Sequence, residues 1–360
     1  MRPTITDIAS RAGVSKTTVS FALNDPSRIS AETYGRIMAI VTELGYVPDP
    51  VARTLTTKRL GALGLLLPQP IDEALRNPYL CEVIRGIGEV CEEHELSLTM
   101  LPPIKGKIIE AARRAFVDGL ITIGVGPDDE VVGILHRRHV PFVTIDGAAV
   151  EATVNVGIDD AEAAYGLMRH ILGLGHRRLA ILALRPETMN LPEKRYSLVS
   201  DRRLAGFSRA LKDAGLALED AGLALHSPDV EVIAVECSLE GGAAAALDLL
   251  SRGAEAPTAI LAMADAVALG VYEACRRHKL SIPGDLSVVG FDDIPEAERA
   301  LPALTTVRQP GRDKGKAAGD LVVRLIAGGT ASHLLLATSL VVRASCGKPR
   351  AHELALPTRP

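Results

Sequence analysis

The stretch TITDIASRAGVSKTTVSFALN, residues 4–24, predicts two short helices joined by a tight turn. Thr4 and Asp7 give a capping-box pattern, after which apolar residues recur at helical spacing. Gly13 ends this first helix, and Ser15 can cap the second one. The fold of the N-terminal part of the chain is therefore decided by strong local signals.

A third helix completes a small core. It opens at Ser30, ends at Gly45 and carries an apolar stripe at Ile37, Ile40, Val41 and Leu44. Two helices joined by a glycine turn, the second one short and polar outside, are typical of the helix-turn-helix unit. A plain three-helix bundle with a solvated face is the alternative that the helices alone leave open.

The outer face of the second helix is suited to the major groove of DNA. It carries Lys16, Thr17, Ser20 and an exposed aromatic residue, Phe21. Hydroxyls can bond phosphates and a lysine can reach base acceptors, so this face favours DNA reading. Residues 1–60 hold eight Lys/Arg against five Asp/Glu, although the whole chain has a net charge of −4, so only the head is basic.

A proline-bounded segment, VPDPVARTLTTKRL at residues 47–60, follows the third helix. Its prolines prevent continuation of that helix, and a new helix of this length should be largely unfolded in water. We interpret it as a hinge that folds on a partner, with Ala52 and Leu55 facing outward and Arg53 near phosphates. A flexible linker is the alternative.

From Leu60 the chain alternates apolar, β-rich runs with helical segments. About nine such runs are visible: LGALGLLL, LSLTML, GLITIG, PFVTID, LAILAL, VEVIAVE, TAILAMA, LSVVGFDD and SLVVRA. Runs that are apolar on both faces imply parallel sheets covered by helices on both sides. We expect two doubly wound lobes, with a ligand in the cleft between them.

Several polar residues stand where a ligand would meet the ends of these strands. Asp146, Asp265 and Asp292 each follow a predicted strand, and Arg203 lies in a helix. Carboxylates and a guanidinium can make paired bonds with the adjacent hydroxyls of a sugar or ribose. An aspartate after a strand is also a common helix cap, so spacing alone leaves both readings open.

Longer motifs carry a family resemblance. TITDIASRAGVSKTTVSFALN followed by GYVPDPVARTL resembles the head and hinge of the LacI/GalR family of transcriptional regulators. Segments such as RLAGFSRAL and IPGDLSVVGFDDIPEAERALPALTTVRQP are similar to the periplasmic-binding-protein-like core of that family. The resemblance covers nearly the whole chain. It implies an all-α helix-turn-helix head and an α/β two-lobed core with doubly wound parallel sheets.

The resemblance also implies roles for residues of the head and hinge. The positions that read bases in the major groove are Lys16, Thr17 and Phe21. Leu55 matches the residue that wedges into the minor groove, and Ala52 and Arg53 belong to the hinge. The positions that contact or orient on the DNA backbone are Thr4, Ser15, Thr18, Asn24 and Ser30. Two departures stand out: Phe21 replaces a common arginine, and Asp49-Pro50 replaces the usual hinge start.

In the core, the resemblance implies that Tyr79, Asp146, Arg203 and Asp292 contact a small-molecule effector. Asp265 is a weaker candidate, because Ala264 before it replaces a usual asparagine. The expected organisation is a DNA-binding domain at 1–46, a hinge at 47–59, an effector-binding domain at 60–346 and a tail at 347–360. Lobe crossings are expected near Val156, Val307 and Gly328.

Composition narrows the function classes. The longest uncharged apolar run is too short to cross a bilayer and the N-terminus is not signal-like, so we expect a cytoplasmic protein without membrane contact. Five cysteines lack metal-ligand spacing, and no nucleophile arrangement or phosphate loop is present. We therefore expect no cofactor, no metal and no enzymatic activity. A tail without a leucine heptad favours a homodimer.

The leading hypothesis is a transcriptional regulator that acts as a repressor. It would bind a pseudo-palindromic double-stranded DNA operator as a dimer. A small-molecule effector, by family default a sugar or sugar derivative, would control it from the interlobe cleft. The alternative is a cytosolic solute-binding or sugar-processing protein on the same two-lobed fold.

Overall fold

A computed structural model describes residues 3–47, 59–126, 129–150, 153–186, 197–216, 219–220, 225–227 and 229–351. The chain separates into two compact units, Met1–Leu60 and Gly61–Pro360. The hinge residues Ala52, Arg53 and Leu55 lie outside the described residues, as does most of the tail. The two units are described separately.

The first unit is a three-helix head. Its helices are α1 (Ile5–Ala12), α2 (Lys16–Asn24) and α3 (Ala31–Leu44). The predicted start and stop signals are in place: Ser15 and Ser30 accept N-cap bonds from Thr18 and Thr33, and Gly13 follows α1 with φ of 63°. The three apolar stripes meet in one buried cluster formed by Ile8, Ala9, Ala12, Val19, Ala22, Ile37 and Val41.

The second unit contains two sheets. The strands are β1 (Ala62–Leu66), β2 (Ser97–Leu101), β3 (Gly119–Ile123), β4 (Phe142–Ile145), β5 (Val154–Ile158), β6 (Leu179–Leu184), β7 (Glu219–Asp220), β8 (Leu225–Ser227), β9 (Val230–Val235), β10 (Ala259–Ala262), β11 (Ser287–Asp292), β12 (Thr305–Arg308), β13 (Leu334–Leu336) and β14 (Ser339–Val341). One sheet has the order β13-β5-β4-β3-β1-β2, and all its pairings are parallel. The other has the order β14-β12-β11-β10-β6-β9-β8-β7, with antiparallel pairs at both edges.

Helices cover both faces of each sheet. They are α4 (Ile71–Arg76), α5 (Pro78–Glu93), α6 (Ile108–Arg114), α7 (Glu130–Arg137), α8 (Asp160–Gly173), α9 (Leu198–Asp213), α10 (Leu239–Leu250), α11 (Asp265–Arg277), α12 (Pro295–Arg299) and α13 (Gly311–Ile326). Successive residues of β1 show the two-sided burial, because Leu65 packs into the cluster with α5 and α13 whereas Leu66 packs with α6 and α7. The predicted two-lobed α/β core is confirmed. We call the lobe with the six-stranded sheet the N-lobe and the other the C-lobe.

The chain passes between the two sheets three times. It leaves the six-stranded sheet after Ile158 and returns after Arg308, close to the predicted positions. The third passage lies between Leu336 and Ser339, so the prediction near Gly328 is wrong. Gly328, with φ of 82°, follows the end of α13, and the chain then pairs with β5 as β13 before it crosses.

Helix α13 is the element that brings an unexpected side chain to the cleft. It packs closely on α5 because glycines stand at the contact: a Cβ at Gly315 would overlap the carbonyl oxygen of Val83, and one at Gly86 that of Arg312. Removing both side chains lets the helix backbones approach. This approach places Lys314, which precedes Gly315, inside the N-lobe next to the cleft.

Among the described residues, no helix has the length and hydropathy that a bilayer crossing requires. The same residues contain no group of three or more His, Cys, Asp or Glu side chains placed to hold a metal ion.

Candidate functional site

The candidate DNA-reading face lies on α2. Lys16 and Thr17 are exposed, while Val19 and Ala22 on the opposite side are buried in the head core. Phe21 is half-buried rather than fully exposed, and the guanidinium of Arg28 lies 5.2 Å from the centre of its ring. This cation–π contact holds a positive group next to Phe21, and the same guanidinium pairs with Asp25 at 2.8 Å. Arg28 was not among the predicted residues.

The predicted backbone-contacting residues of the head have structural partners within the head. The Thr4 hydroxyl and backbone N–H both donate to the Asp7 carboxylate at 2.8 Å. Ser15 and Thr18 share a hydroxyl bond of 2.9 Å at the start of α2, and Asn24 donates to the carbonyl of Ser20 at 3.0 Å. Ser30 donates to the Thr33 hydroxyl at 2.9 Å. The bonds at Thr4, Ser15 and Ser30 orient helix N-termini, the places where a phosphate is favoured, whereas Asn24 is the last residue of α2.

The second unit contains a cavity of about 620 Å³ between its two lobes. Polar side chains from both lobes line it, and we call Tyr79, Asp146, Arg203, Asp292 and Gln309 the polar cluster. An apolar set from α6, α7 and α9 lines it as well, including Ile108, Ile109, Val131, Leu198 and Val199. A site of this kind can hold a ligand that is polar on one side and apolar on the other.

Asp146 accepts two side-chain hydrogen bonds at the edge of the cavity. Its Oδ2 accepts from the Tyr79 hydroxyl at 2.6 Å, and its Oδ1 accepts from the Lys314 ammonium at 2.6 Å. Burial alone raises the pKa of Asp146, but the Lys314 charge and these two bonds outweigh it, so the pKa lies below its ordinary value. Burial and the Asp146 charge raise the pKa of Tyr79. Asp146 is therefore an ionised acceptor, and Tyr79 is a neutral donor.

Lys314 and Gln309 connect the two lobes at this point. The Lys314 ammonium also donates to the Tyr79 hydroxyl at 3.0 Å and to Gln309 Oε1 at 2.6 Å. The Gln309 amide nitrogen in turn donates to Asp292 Oδ1 at the end of β11. A continuous set of hydrogen bonds thus runs from Asp146 in the N-lobe to Asp292 in the C-lobe.

Arg203 enters the cleft from α9, at a distance in sequence from every other member of the cluster. Its Nε donates to Asp160 Oδ1 at 3.0 Å, and one terminal nitrogen donates to the carbonyl of Met263. The guanidinium also lies 3.6 Å from the centre of the Phe291 ring. Asp160 additionally accepts from Arg202, which donates to the Asp146 and Gly147 carbonyls at 3.0 and 3.1 Å. Arg203 is thus held in place before any ligand arrives.

Asp292 and Asp265 have different positions, although both follow C-lobe strands. Asp292 lines the cavity, and burial raises its pKa to about 6 despite the nearby Arg203 charge and the Gln309 bond. Asp265 does not line the cavity, so its predicted contact with an effector is wrong. Its carboxyl group points into the C-lobe, where it accepts from the Thr306 hydroxyl at 2.6 Å and the Ile294 N–H at 3.0 Å.

The buried position of Asp265 still affects the cleft. Burial, followed by the Asp292 charge, raises the pKa of Asp265 to about 8. Its backbone N–H faces Asp292 Oδ2 at 3.4 Å, so it helps to orient that ligand-facing carboxyl. Gly290 makes room for this arrangement, because a Cβ there would overlap the Asp265 carboxylate. Asp265 is a positioning residue.

Backbone conformation sets the cleft aspartates apart from ordinary strand ends. Asp146 and Asp292, which line the cavity, have φ of 55° and 134°. Asp293 has φ of 61°, but its carboxylate pairs with Arg308 and Arg343. Non-glycine residues rarely adopt these values, and their cost is met only where the surroundings demand a particular side-chain direction. The turns after β4 and β11 therefore direct carboxyl groups toward the cavity instead of capping the next helix.

Two matching family descriptions cover much of the chain. Residues 4–49 match the description "Bacterial regulatory proteins, lacI family", and residues 168–346 match "Periplasmic binding protein-like domain".

Full-length relatives agree with these matches. An HTH-type transcriptional regulator of Mycobacterium tuberculosis is 33% identical over 359 residues, which cover 97% of this chain and 98% of the relative. The HTH-type transcriptional regulator DegA of Bacillus subtilis is 32% identical over 88% of this chain and 89% of its own length. The ribose operon repressor of Haemophilus influenzae is 29% identical over 90% and 92%.

Solved structures match the whole fold. The lac repressor dimer bound to operator and the anti-inducer ONPF superimposes with a TM-score of 0.77 at 25% identity, covering 96% of this chain and 99% of that one. A complex of the transcriptional regulator CelR with cellobiose superimposes with a TM-score of 0.67 at 26% identity, covering 96% and 100%.

Proposed function

This chain belongs to the LacI family of bacterial regulatory proteins, and we propose that it is a repressor controlled by a sugar or sugar derivative bound in its interlobe cleft. As a member of this family it is a DNA-binding transcriptional regulator. The finer proposal is that two heads of a homodimer bind the halves of a pseudo-palindromic operator in the cytoplasm.

The observation that carries the proposal is the convergence of Asp146, Arg203 and Asp292 on one cavity. These residues come from three distant parts of the chain and from both lobes. The two carboxyl groups retain acceptor positions, and the guanidinium has donors beyond its two protein bonds. Groups that both donate and accept, such as neighbouring sugar hydroxyls, match this combination.

Ligand and DNA would be coupled through the lobes. Polar-cluster bonds join N-lobe and C-lobe residues, so a ligand that binds both would favour one lobe arrangement. If DNA favours another arrangement, each ligand weakens the binding of the other by the same factor. Cellobiose in the CelR complex supports a sugar as the ligand class.

Dimerisation through the second unit is supported by exposed apolar side chains. Phe116 in the N-lobe is 75% exposed and Leu301 in the C-lobe is 91% exposed. Contiguous apolar patches mark association surfaces, and the lac repressor structure that superimposes on this chain is a dimer. The alternative of a solute-binding or sugar-processing protein would use the cleft but would leave the helix-turn-helix head without a role.

DNA recognition can be tested without knowledge of the target. The full chain is incubated with random-sequence duplexes, and retained sequences are selected and read. We expect a two-fold symmetric motif whose binding weakens steeply as salt rises, because phosphate contacts release counterions. Retention without a common motif, or binding that does not depend on salt, would contradict operator recognition.

A further inference from the structure

The buried ammonium of Lys314 is the feature of the cleft that the proposed function leaves unexplained. Lys314 is 0% exposed, and lysines are almost never fully buried unless paired. An ammonium has three N–H donors and no acceptor. All three have partners here: the Asp146 carboxylate, the Tyr79 hydroxyl and the Gln309 carbonyl oxygen.

Lys314 does not line the cavity, so a ligand would meet the groups that it bonds and not the ammonium itself. Asp146 and Tyr79 lie between it and the ligand space. Without Lys314, Asp146 would present an uncompensated carboxylate in a buried cleft, which is the arrangement that attracts a ligand cation. With Lys314, the charge of Asp146 is already neutralised by an ammonium on the side away from the ligand space.

The charged groups around the ammonium reinforce this balance. Asp146 at the end of β4 and Tyr79 on α5 face it directly, and Asp292 at the end of β11 is linked to it through Gln309. Arg203 from α9 adds a second positive charge to the polar cluster. A ligand ammonium placed against Asp146 would therefore lie near two fixed cations.

We propose that Lys314 is a specificity-determining residue, a resident cation that makes the cleft select an uncharged polyhydroxylated ligand over its amino counterpart. The choice of a sugar as the ligand class rests on the proposed function, whereas the role of the ammonium does not. Hydroxyls can use the remaining acceptor positions of Asp146 and the donors of Arg203 without adding charge. We expect wild type to bind a protonated amino sugar at least roughly 10-fold more weakly than the neutral parent.

The first experiment needs no natural ligand. Thermal unfolding of the full chain is followed for wild type, Lys314→Ala and Lys314→Ala/Asp146→Asn, with Lys316→Met as an exposed control on the same helix. Lys314→Ala removes three carbons and the nitrogen, the size of n-propylammonium. We expect Lys314→Ala to lower Tm by roughly 5–10 °C, because it leaves a buried carboxylate unpaired.

Added n-propylammonium chloride should restore at least about half of that loss, whereas 1-propanol should not. It should have no effect on wild type or on the double variant, in which Asp146 can no longer be charged. Equal rescue by propanol, or rescue that persists with Asp146→Asn, would overturn the resident-cation role. If Lys314→Ala does not fold, Lys314→Met retains the volume. As the pH is lowered from about 8 to 5, the Tm of Lys314→Met should then rise relative to that of the Lys316→Met control. A Tm difference that does not change with pH would overturn the role.

The second experiment tests ligand choice by thermal shift at about pH 6. D-glucose and D-galactose are compared with D-glucosamine and D-galactosamine, together with cellobiose and ribose. Wild type should respond to a neutral sugar and less to its amino partner, and Lys314→Met should reverse that order. A wild type that prefers the amino sugar overturns the inference and leaves sugar control intact. If no sugar shifts wild type while n-propylammonium rescues Lys314→Ala, the resident cation stands and the sugar class of the proposed function fails.

Discussion

Asp160→Asn is expected to weaken the second unit more than any comparable change at a surface ion pair. The Asp160 side chain is 1% exposed and accepts from Arg203, itself 4% exposed, and from Arg202, which is 33% exposed. Asparagine has one acceptor oxygen and no charge, so one arginine loses its partner. Breaking a buried ion pair costs about 3–5 kcal/mol, and the partial exposure of Arg202 favours the lower end, about 3 kcal/mol.

Urea unfolding followed by far-ultraviolet circular dichroism can measure this loss. At an m-value of about 3 kcal/mol/M, a loss of about 3 kcal/mol lowers the midpoint by roughly 1 M. Glu162→Gln is the matched control, because Glu162 pairs with Arg209 between the same two helices but both side chains are about half exposed or more. We expect that control to stay within the error of the measurement. Equal losses in the two variants would refute the claim that Asp160 is a buried anchor for Arg203.

Four further changes test other parts of the molecule. Leu55→Ala should weaken binding of the selected duplex strongly and nonspecific DNA little, as measured by anisotropy; an equal loss on both would remove the wedge role. Phe21→Arg should shift the selected half-site toward a guanine, and an unchanged motif would mean that Phe21 does not face bases. Arg203→Ala should abolish the sugar-induced thermal shift, and an undiminished shift would exclude Arg203 from the site. The raised pKa of Asp265, about 8, means that the folded protein retains a proton which the unfolded chain loses above about pH 4, so stability should fall between these values. Asp292, with a pKa raised to about 6, adds to the fall below that pH, so Asp265→Asn should flatten the urea midpoint chiefly between about pH 6 and 8. An unchanged slope in that range would show that another group titrates.

The head could be predicted from sequence because its signals are local. Ser15, Ser30 and Gly13 act within one turn of the helices that they bound, and the apolar stripes meet as expected. The position of Phe21 was predicted, but its contact with Arg28 was not. Side chains that meet through a turn leave no periodic pattern in the sequence.

The strands that the sequence analysis did not predict lack local signals of this kind. They are β5, β7, β8, β12 and β13. β5 carries asparagine and glycine among its apolar residues, and β12 carries threonine and arginine beside its single valine. β13 also pairs with a strand far away in sequence, because the whole C-lobe lies between it and its partner β5. Strands of this kind form because the sheet provides a neighbouring strand to pair with, and their local strand propensity does not predict them.

Some residues of the cleft could be predicted from the sequence, and others could not. Asp146 and Asp292 could be predicted because they end strong strands, and Asp265 was misassigned by the same rule because its side chain points the other way. Lys314 was missed, since a lysine in a helix ordinarily points to solvent. Its burial depends on the close packing at Gly315 and on a carboxylate 168 residues away. The following glycine was the only signal near it in sequence.

The most direct test of the central claim measures DNA affinity with and without a cleft ligand. The selected duplex is titrated with the full chain by fluorescence anisotropy, in the absence and presence of the sugar that gives the largest thermal shift, for wild type and Arg203→Ala. The proposal predicts that the sugar changes the wild-type Kd by at least about 5-fold and leaves that of Arg203→Ala unchanged. An identical wild-type Kd under both conditions would contradict control of DNA binding from the cleft.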